Sequence, residues 1–143
     1  MSEEAFRRRV RDALHQPPSS LCKRLHDAVV AGVPDCFYAF AGRVTFLELK
    51  WAAWPKRERT PITVGLTVEQ RRYLEELRGA GVAAYVLLGV GRREWWLLDP
   101  SDVPANLRVP QAWLRCDERQ KGTDLRTLWR VLAARPESPA ASG

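Results

Sequence analysis

Histidine and cysteine are too scarce in this chain to build the commonest catalytic and metal sites. The two histidines, His15 and His26, form no HxxxH or HExxH pair, so a histidine metal site or a histidine-based triad has no support. The cysteines, Cys22, Cys36 and Cys116, are widely spaced and include no CxxC, which disfavours zinc and favours reduced structural thiols. No apolar run approaches the roughly 20 residues that a membrane span needs. The opening stretch MSEEAFRRRVRDALHQ lacks the apolar centre of a signal peptide. A cytoplasmic protein without a membrane partner is expected.

Lysine is also rare. The chain carries 23 basic residues, of which only Lys23, Lys50, Lys56 and Lys121 are lysine. A bias to arginine often follows from a GC-rich genome, but it makes Lys50 conspicuous, since lysine is a compact charge whose pKa moves readily on burial. The net charge is +6, spread in small groups such as Arg7-Arg8-Arg9, Lys56-Arg57, Arg71-Arg72 and Arg92-Arg93. That distribution favours a polyanionic partner, and nucleic acid is the common one.

What is present suits a soluble globular protein: 143 residues, 45% hydrophobic and 28% charged. One domain over residues 1–135 is expected, followed by a disordered tail over 136–143 rich in Pro, Ser, Ala and Gly. Residues 3–14 read as a helix capped by Ser2, with Phe6, Val10, Ala13 and Leu14 on one face. An ambiguous extended segment covers 21–29, and AGVPD is a turn. Residues 35–51 read as a β-hairpin closed at AGR, and the proline-containing, charged stretch after Ala52 as an exposed loop. Thr67 and Gln70 form a capping-box pattern at the start of a helix that Gly79 and Gly81 end. Strands follow at VAAYVLLGV and EWWLLD, and a last helix over 123–134. The order predicts an α/β (α+β) architecture with one mixed sheet flanked by helices. The role of residues 99–135 is left open.

The strand VTFLELKW, residues 44–51, holds the chemistry. It is apolar except at Thr45, Glu48 and Lys50. Alternation puts Glu48 and Lys50 on one face with Phe46, and Leu47 and Leu49 on the other. Asp35, directly after Pro34, opens the partner strand. A hairpin can bring Asp35 and Glu48 together with Lys50 alongside. Two adjacent carboxylates are costly unless a cation joins them, and such hard oxygen ligands suit Mg²⁺ or Mn²⁺. A metal so held acts on phosphate esters, and Lys50 would stabilise the charge of the transition state or orient the attacking water. The plainer alternative is a Glu48–Lys50 salt bridge on a solvated sheet face.

GVPDCFYAFAGRVTFLELK resembles the signature of the PD-(D/E)XK nuclease superfamily: a Pro-Asp, a hairpin, then Glu-x-Lys. LTVEQRRYL is similar to the helix after that strand in the VRR-NUC and Holliday-junction-resolvase-like branches, of which small phage-type and bacterial members, some with roles in DNA repair, are common. The resemblance covers about residues 4–98. It implies a restriction-endonuclease-like αβββαβ core, here with a C-terminal helical extension, and Mg-dependent hydrolysis of DNA, with branched or structured DNA among the candidate substrates. By position, it implies Asp35, Glu48 and the Leu49 carbonyl as metal ligands, Lys50 as helper of the nucleophilic water, and Gln70 reaching back to the site. It also implies an acid on the first helix, for which Glu4 is preferred over Glu3. A homodimer follows by analogy with members that cut both strands.

Several residues keep two readings. Gln70 fits a helix cap and a site residue equally. Trp51 and Trp54 fit base stacking or sheet-end packing. Lys56, Arg57 and Arg59, with Arg71 and Arg72, suit contacts to DNA phosphates or a solvated surface. His26 and Asp27 match no pattern. The alternative to a nuclease is a catalytically degenerate nucleic-acid-binding or assembly protein on the same fold.

Overall fold

Ser2 starts the first helix: its hydroxyl accepts the Ala5 N–H at 3.1 Å. Glu3 and Glu4 lie in the first turn, where carboxylates complement the helix dipole. Helix α1 (Glu3–His15) buries Phe6, Val10, Ala13 and Leu14, the stripe the sequence predicts. The computed structural model describes residues 1–26, 30–104, 107–116 and 119–134. Strands β1 (Leu21–Arg24), β2 (Cys36–Phe40), β3 (Arg43–Ala52) and β4 (Ile62–Thr63) follow, then α2 (Val68–Gly79), β5 (Ala83–Val90), β6 (Glu94–Leu98), β7 (Arg108–Val109), α3 (Gln111–Leu114), β8 (Gln120–Gly122) and α4 (Leu128–Ala134).

The principal sheet has six strands in the order β1-β2-β3-β5-β6-β8. Only the β3–β5 pair is parallel, and a parallel pair needs a crossover, which carries α2. The β2–β3 hairpin turns on Ala41 (φ 53°) and Gly42 (φ 77°), two left-handed residues as a tight two-residue loop requires. One sheet face packs Leu47, Leu49, Leu87, Trp95 and Leu97 against α1 and α4. The other packs Val86, Leu88, Trp96 and Leu98 against α2, the 62–66 segment, and Val103, Val109 and Leu114. Both faces are covered, which is why β5 reads as a continuous apolar run. At Gly89 an added Cβ would lie 2.4 Å from the Phe6 ring, so α1 rests directly on the β5 backbone. This is the mixed, helix-flanked sheet that the sequence predicts.

Three expectations change in detail. The extended segment at 21–29 is a strand only over Leu21–Arg24, and 27–29 lie outside the described residues. The loop after Ala52 is exposed over residues 56–61, but Ile62, Val64 and Leu66 are buried and Ile62–Thr63 pairs with Arg108–Val109. The last helix begins at Leu128, because the Asp124 carboxylate accepts the Arg126 N–H at 2.9 Å and closes a 3₁₀ turn over Leu125–Thr127 first. The expected tail lies outside the described residues. Cys22 on β1 and Cys36 on β2 are buried free thiols. Among the described residues no helix is long and apolar enough to cross a membrane.

Candidate active site

The β2–β3 register ends with Cys36 opposite Leu47. One step further, Asp35 falls opposite Glu48, and opposed residues of an antiparallel pair project from the same face. The next pair would be Pro34 with Leu49, but proline has no N–H to give a partner strand. The strands part there, and the Asp35 side chain substitutes: the Leu49 N–H donates to Asp35 Oδ2 over 2.8 Å. In a strand the N–H and C=O of one residue face the same side, so the Leu49 carbonyl opens toward Asp35. The Asp35 carbonyl in turn accepts the Leu25 N–H at 2.8 Å, tying the turn to the end of β1. His26 follows directly, and Asp27 lies outside the described residues.

Glu48 and Lys50 are 1% and 7% exposed, so the solvated salt bridge does not describe them. Lys50 Nζ stands 3.7 Å from Glu48 Oε1 and 4.0 Å from Glu3 Oε1. Burial, then the neighbouring Asp35 carboxylate and a hydrogen bond to it, push the Glu48 carboxyl up to about 9, against the opposing pull of Lys50 and Arg7. The metal-free site therefore holds a proton at neutral pH. When Glu48 is ionised its buried Oε2 has no hydrogen-bond donor, a lone pair of the kind a bound ion accounts for. Among the described residues no group of three or more His, Cys, Asp or Glu side chains is gathered for a metal. The donor set is two carboxylates and one carbonyl, which fits a hard cation that keeps several waters.

Gln70 unites its two readings. Its backbone N–H donates to Thr67 Oγ1 at 3.1 Å and its Oε1 accepts the Thr67 N–H at 2.9 Å, completing the capping box. Its Nε2 donates to Glu48 Oε1 at 3.2 Å. The helix start is held close to the turn before Asp35 by Gly32: at φ +85°, a Cβ there would lie 2.5 Å from the Glu69 carbonyl carbon and oxygen.

Helix α1 supplies the remaining charges. Glu3 faces the site, 4.0 Å from Lys50 Nζ, and accepts from Arg7 Nη2 at 2.9 Å. Glu4, the residue preferred on sequence grounds, instead approaches Arg7 at 3.8 Å and Arg11 at 4.0 Å, with its side chain 55% exposed. One step of helical rotation decides between them. Arg7 was not singled out in the sequence: its Nε lies 3.6 Å from Asp35 Oδ2. The available signal was helical phase, since Arg7 alone in its arginine run stands four residues from Glu3 and three from Val10.

The aromatic and basic candidates lie around the sheet end. Trp51 Nε1 donates to the Gly91 carbonyl at 2.8 Å, and Trp54 Nε1 to Glu94 at 3.2 Å. Trp54 meets Trp96 edge-on and carries Arg115 on its face, so both tryptophans pack the end of the sheet. Lys56, Arg57 and Arg59 are exposed. Their loop is pinned by buried Gln111, whose Nε2 donates to the Arg57 and Thr60 carbonyls at 3.1 and 2.7 Å. Arg71 pairs with Glu75 at 3.2 Å along α2, and Arg72 is exposed.

No family model matches the sequence, and no curated protein matches it. Among solved structures, the chain is similar to Archaeoglobus fulgidus Hjc, a Holliday junction resolvase from an archaeal hyperthermophile. The likeness covers 87% of this chain and 92% of that one, with a TM-score of 0.52 and 20% sequence identity. The chain thus has the mixed, helix-flanked sheet of the restriction-endonuclease-like fold, as that resolvase does.

Proposed function

We propose that the chain is a divalent-metal-dependent deoxyribonuclease that hydrolyses phosphodiester bonds, with branched DNA as its substrate class. The observation that carries this reading is the closeness of the buried Glu48 carboxyl to Asp35, with no donor facing Glu48 Oε2 once that group is ionised. Asp35, Glu48 and the Leu49 carbonyl would hold Mg²⁺ or Mn²⁺. When bound, the ion supplies Lewis-acid polarisation of a phosphoryl oxygen and an acidified water.

The chain's own residues do the rest. Lys50 is 7% exposed and held between Glu48 and Glu3. A fixed ammonium in a water-poor site stabilises negative charge that develops on a phosphoryl group, without reorganising. Gln70 fixes Glu48 in one orientation through Oε1 and leaves Oε2 for the cation. The Leu49 N–H does the same for Asp35. Lys56, Arg57 and Arg59 supply phosphate contacts that set register and not sequence. The fold shared with a resolvase supports branched DNA as the substrate and a homodimer as the working form, since two sites related by a two-fold axis can address two strands.

A cleavage assay tests this. Purified protein is incubated with four-way junction, flap, duplex and single-stranded DNA in Mg²⁺, Mn²⁺ or EDTA. Cutting in metal, lost in EDTA and in Asp35→Asn and Lys50→Ala, is expected. Binding without cutting in any metal would establish the degenerate-site alternative, and cutting by Asp35→Asn would overturn the site assignment.

A further inference from the structure

We propose that Arg7 is a positioning residue that holds the metal's place at Asp35: its guanidinium neutralises that carboxylate until a divalent cation arrives, and competes with the cation for it. The inference rests on the proposed metal-dependent reading. It concerns a residue outside the donor set.

Three observations support it. First, the two site carboxylates each have a cation from a different element. Lys50 stands at Glu48 from within β3, and Arg7 stands at Asp35 from α1. Second, the contacts of Arg7 to Glu3 and to Asp35 are unequal. Its Nη2 is anchored by a 2.9 Å hydrogen bond to Glu3, while its Nε lies 3.6 Å from Asp35 Oδ2. At that separation no hydrogen bond forms, so Arg7 reaches Asp35 by charge alone, and the Arg7 Nε is a buried donor without a partner. Third, Asp35 Oδ2 is already committed to the Leu49 N–H at 2.8 Å. Its strong hydrogen bond goes to the backbone that sets its position, and its weak contact goes to the arginine. A buried donor without an acceptor is costly, and Arg7 Nε keeps that cost while its Nη2 stays on Glu3. A site that kept arginine as its permanent counter-charge would close that hydrogen bond. A site that must yield its carboxylate to an ion keeps the arginine anchored elsewhere, on Glu3, and lets charge alone reach Asp35.

The competition is measurable with the metal alone. Mn²⁺ is titrated calorimetrically into the full chain without DNA, for wild type, Arg7→Gln, Arg7→Lys and Asp35→Asn. Removing the competing charge in Arg7→Gln tightens Mn²⁺ binding about tenfold, the scale of one partly screened charge at this range. Arg7→Lys, which restores a positive charge, returns the affinity to near the wild-type value, and Asp35→Asn weakens it. Unchanged or weaker binding by folded Arg7→Gln overturns the proposal. A second readout needs no variant: in wild type, the Arg7 Nε–H resonance shifts along the Mg²⁺ binding isotherm, and a resonance that stays still through saturation overturns it equally. Wild type that binds neither ion refutes the metal reading itself, whereas wild type that binds while Arg7→Gln gains nothing refutes only the role of Arg7.

Discussion

One amide links the start of α2 to the buried carboxyl of β3: Gln70 accepts the Thr67 N–H through Oε1 at 2.9 Å and donates through Nε2 to Glu48 Oε1 at 3.2 Å. The helix cap and the orientation of Glu48 are therefore set by opposite ends of one side chain. A glutamate at this position would serve the cap as well but would present a second acceptor to Glu48.

That difference separates stability from activity. Gln70→Ala removes the reciprocal half of the cap and costs about 1 kcal/mol, and it also frees Glu48. Gln70→Glu keeps the cap, so its melting temperature stays close to wild type while cleavage falls by about tenfold or more, the scale of one lost orienting hydrogen bond. Melting curves and cleavage rates measured on both variants check this. Full activity in Gln70→Glu would reduce Gln70 to a cap.

The proton on Glu48 sets a pH dependence. Its folded value of about 9 lies above the ordinary 4.5. Between those values the folded chain keeps a proton that the unfolded chain has lost. Raising the pH through that window therefore favours unfolding, and the metal-free protein loses stability until the curve levels above the folded value. A metal must displace the same proton, so Mn²⁺ affinity rises with pH over the window, by up to about tenfold per unit. Thermal melts in EDTA at stepped pH give the slope. Glu48→Gln flattens it, and a variant that kept the wild-type slope would assign the proton elsewhere.

Gly32 tests how the turn before Asp35 is built. Its φ of +85° is left-handed, and a Cβ would lie 2.5 Å from the Glu69 backbone. Gly32→Ala must strain the backbone and also push the turn off α2, so it destabilises by about 1–3 kcal/mol. Because the same turn leads into Asp35, metal affinity drops as well. Denaturant melts and Mn²⁺ titration read the two effects, and a variant that lost neither would show that the contact is dispensable.

The site's central pair was legible in the sequence because β-strand alternation is strict. Once 44–51 is a strand, Glu48 and Lys50 must share a face, and a hairpin closed at Ala41–Gly42 sets Asp35 against Glu48. The helix contributions were less legible. Glu3 and Glu4 both lie in the first turn of α1, and only packing of that helix on β5 decides which one faces Lys50. Arg7 hides within three consecutive arginines for the same reason. Residues 99–122 could not be read locally because β7 and β8 are two and three residues long. They exist through distant partners, Val109 with Ile62 and Gly122 with Trp95, where an added Cβ at Gly122 would lie 2.4 Å from the indole. The end of the buried stretch at 62–66 has the same origin, since its apolar residues are covered by the segment that pairs with them.

The basic loop gives a prediction that does not depend on cleavage. Lys56, Arg57 and Arg59 are exposed, and the Gln111 side chain holds the loop through the Arg57 and Thr60 carbonyls, not through the charged groups. Replacing all three charges by alanine therefore leaves the anchoring backbone in place. If each side chain neutralises one phosphate, the slope of log affinity against log salt becomes shallower by about 0.9 per contact, roughly 2 to 3 in total. Junction binding measured with Ca²⁺ in place of Mg²⁺ at several salt concentrations gives the slope. Affinity should weaken to a similar extent for junction, flap and duplex, because phosphate contacts carry no sequence or branch information. An unchanged slope removes these three residues from the DNA surface, whereas a loss confined to junctions would make the loop a reader of branch geometry. In Gln111→Ala the charges remain but the loop loses its two carbonyl anchors, so affinity falls while the salt slope stays closer to wild type. That contrast distinguishes loss of charge from loss of loop position.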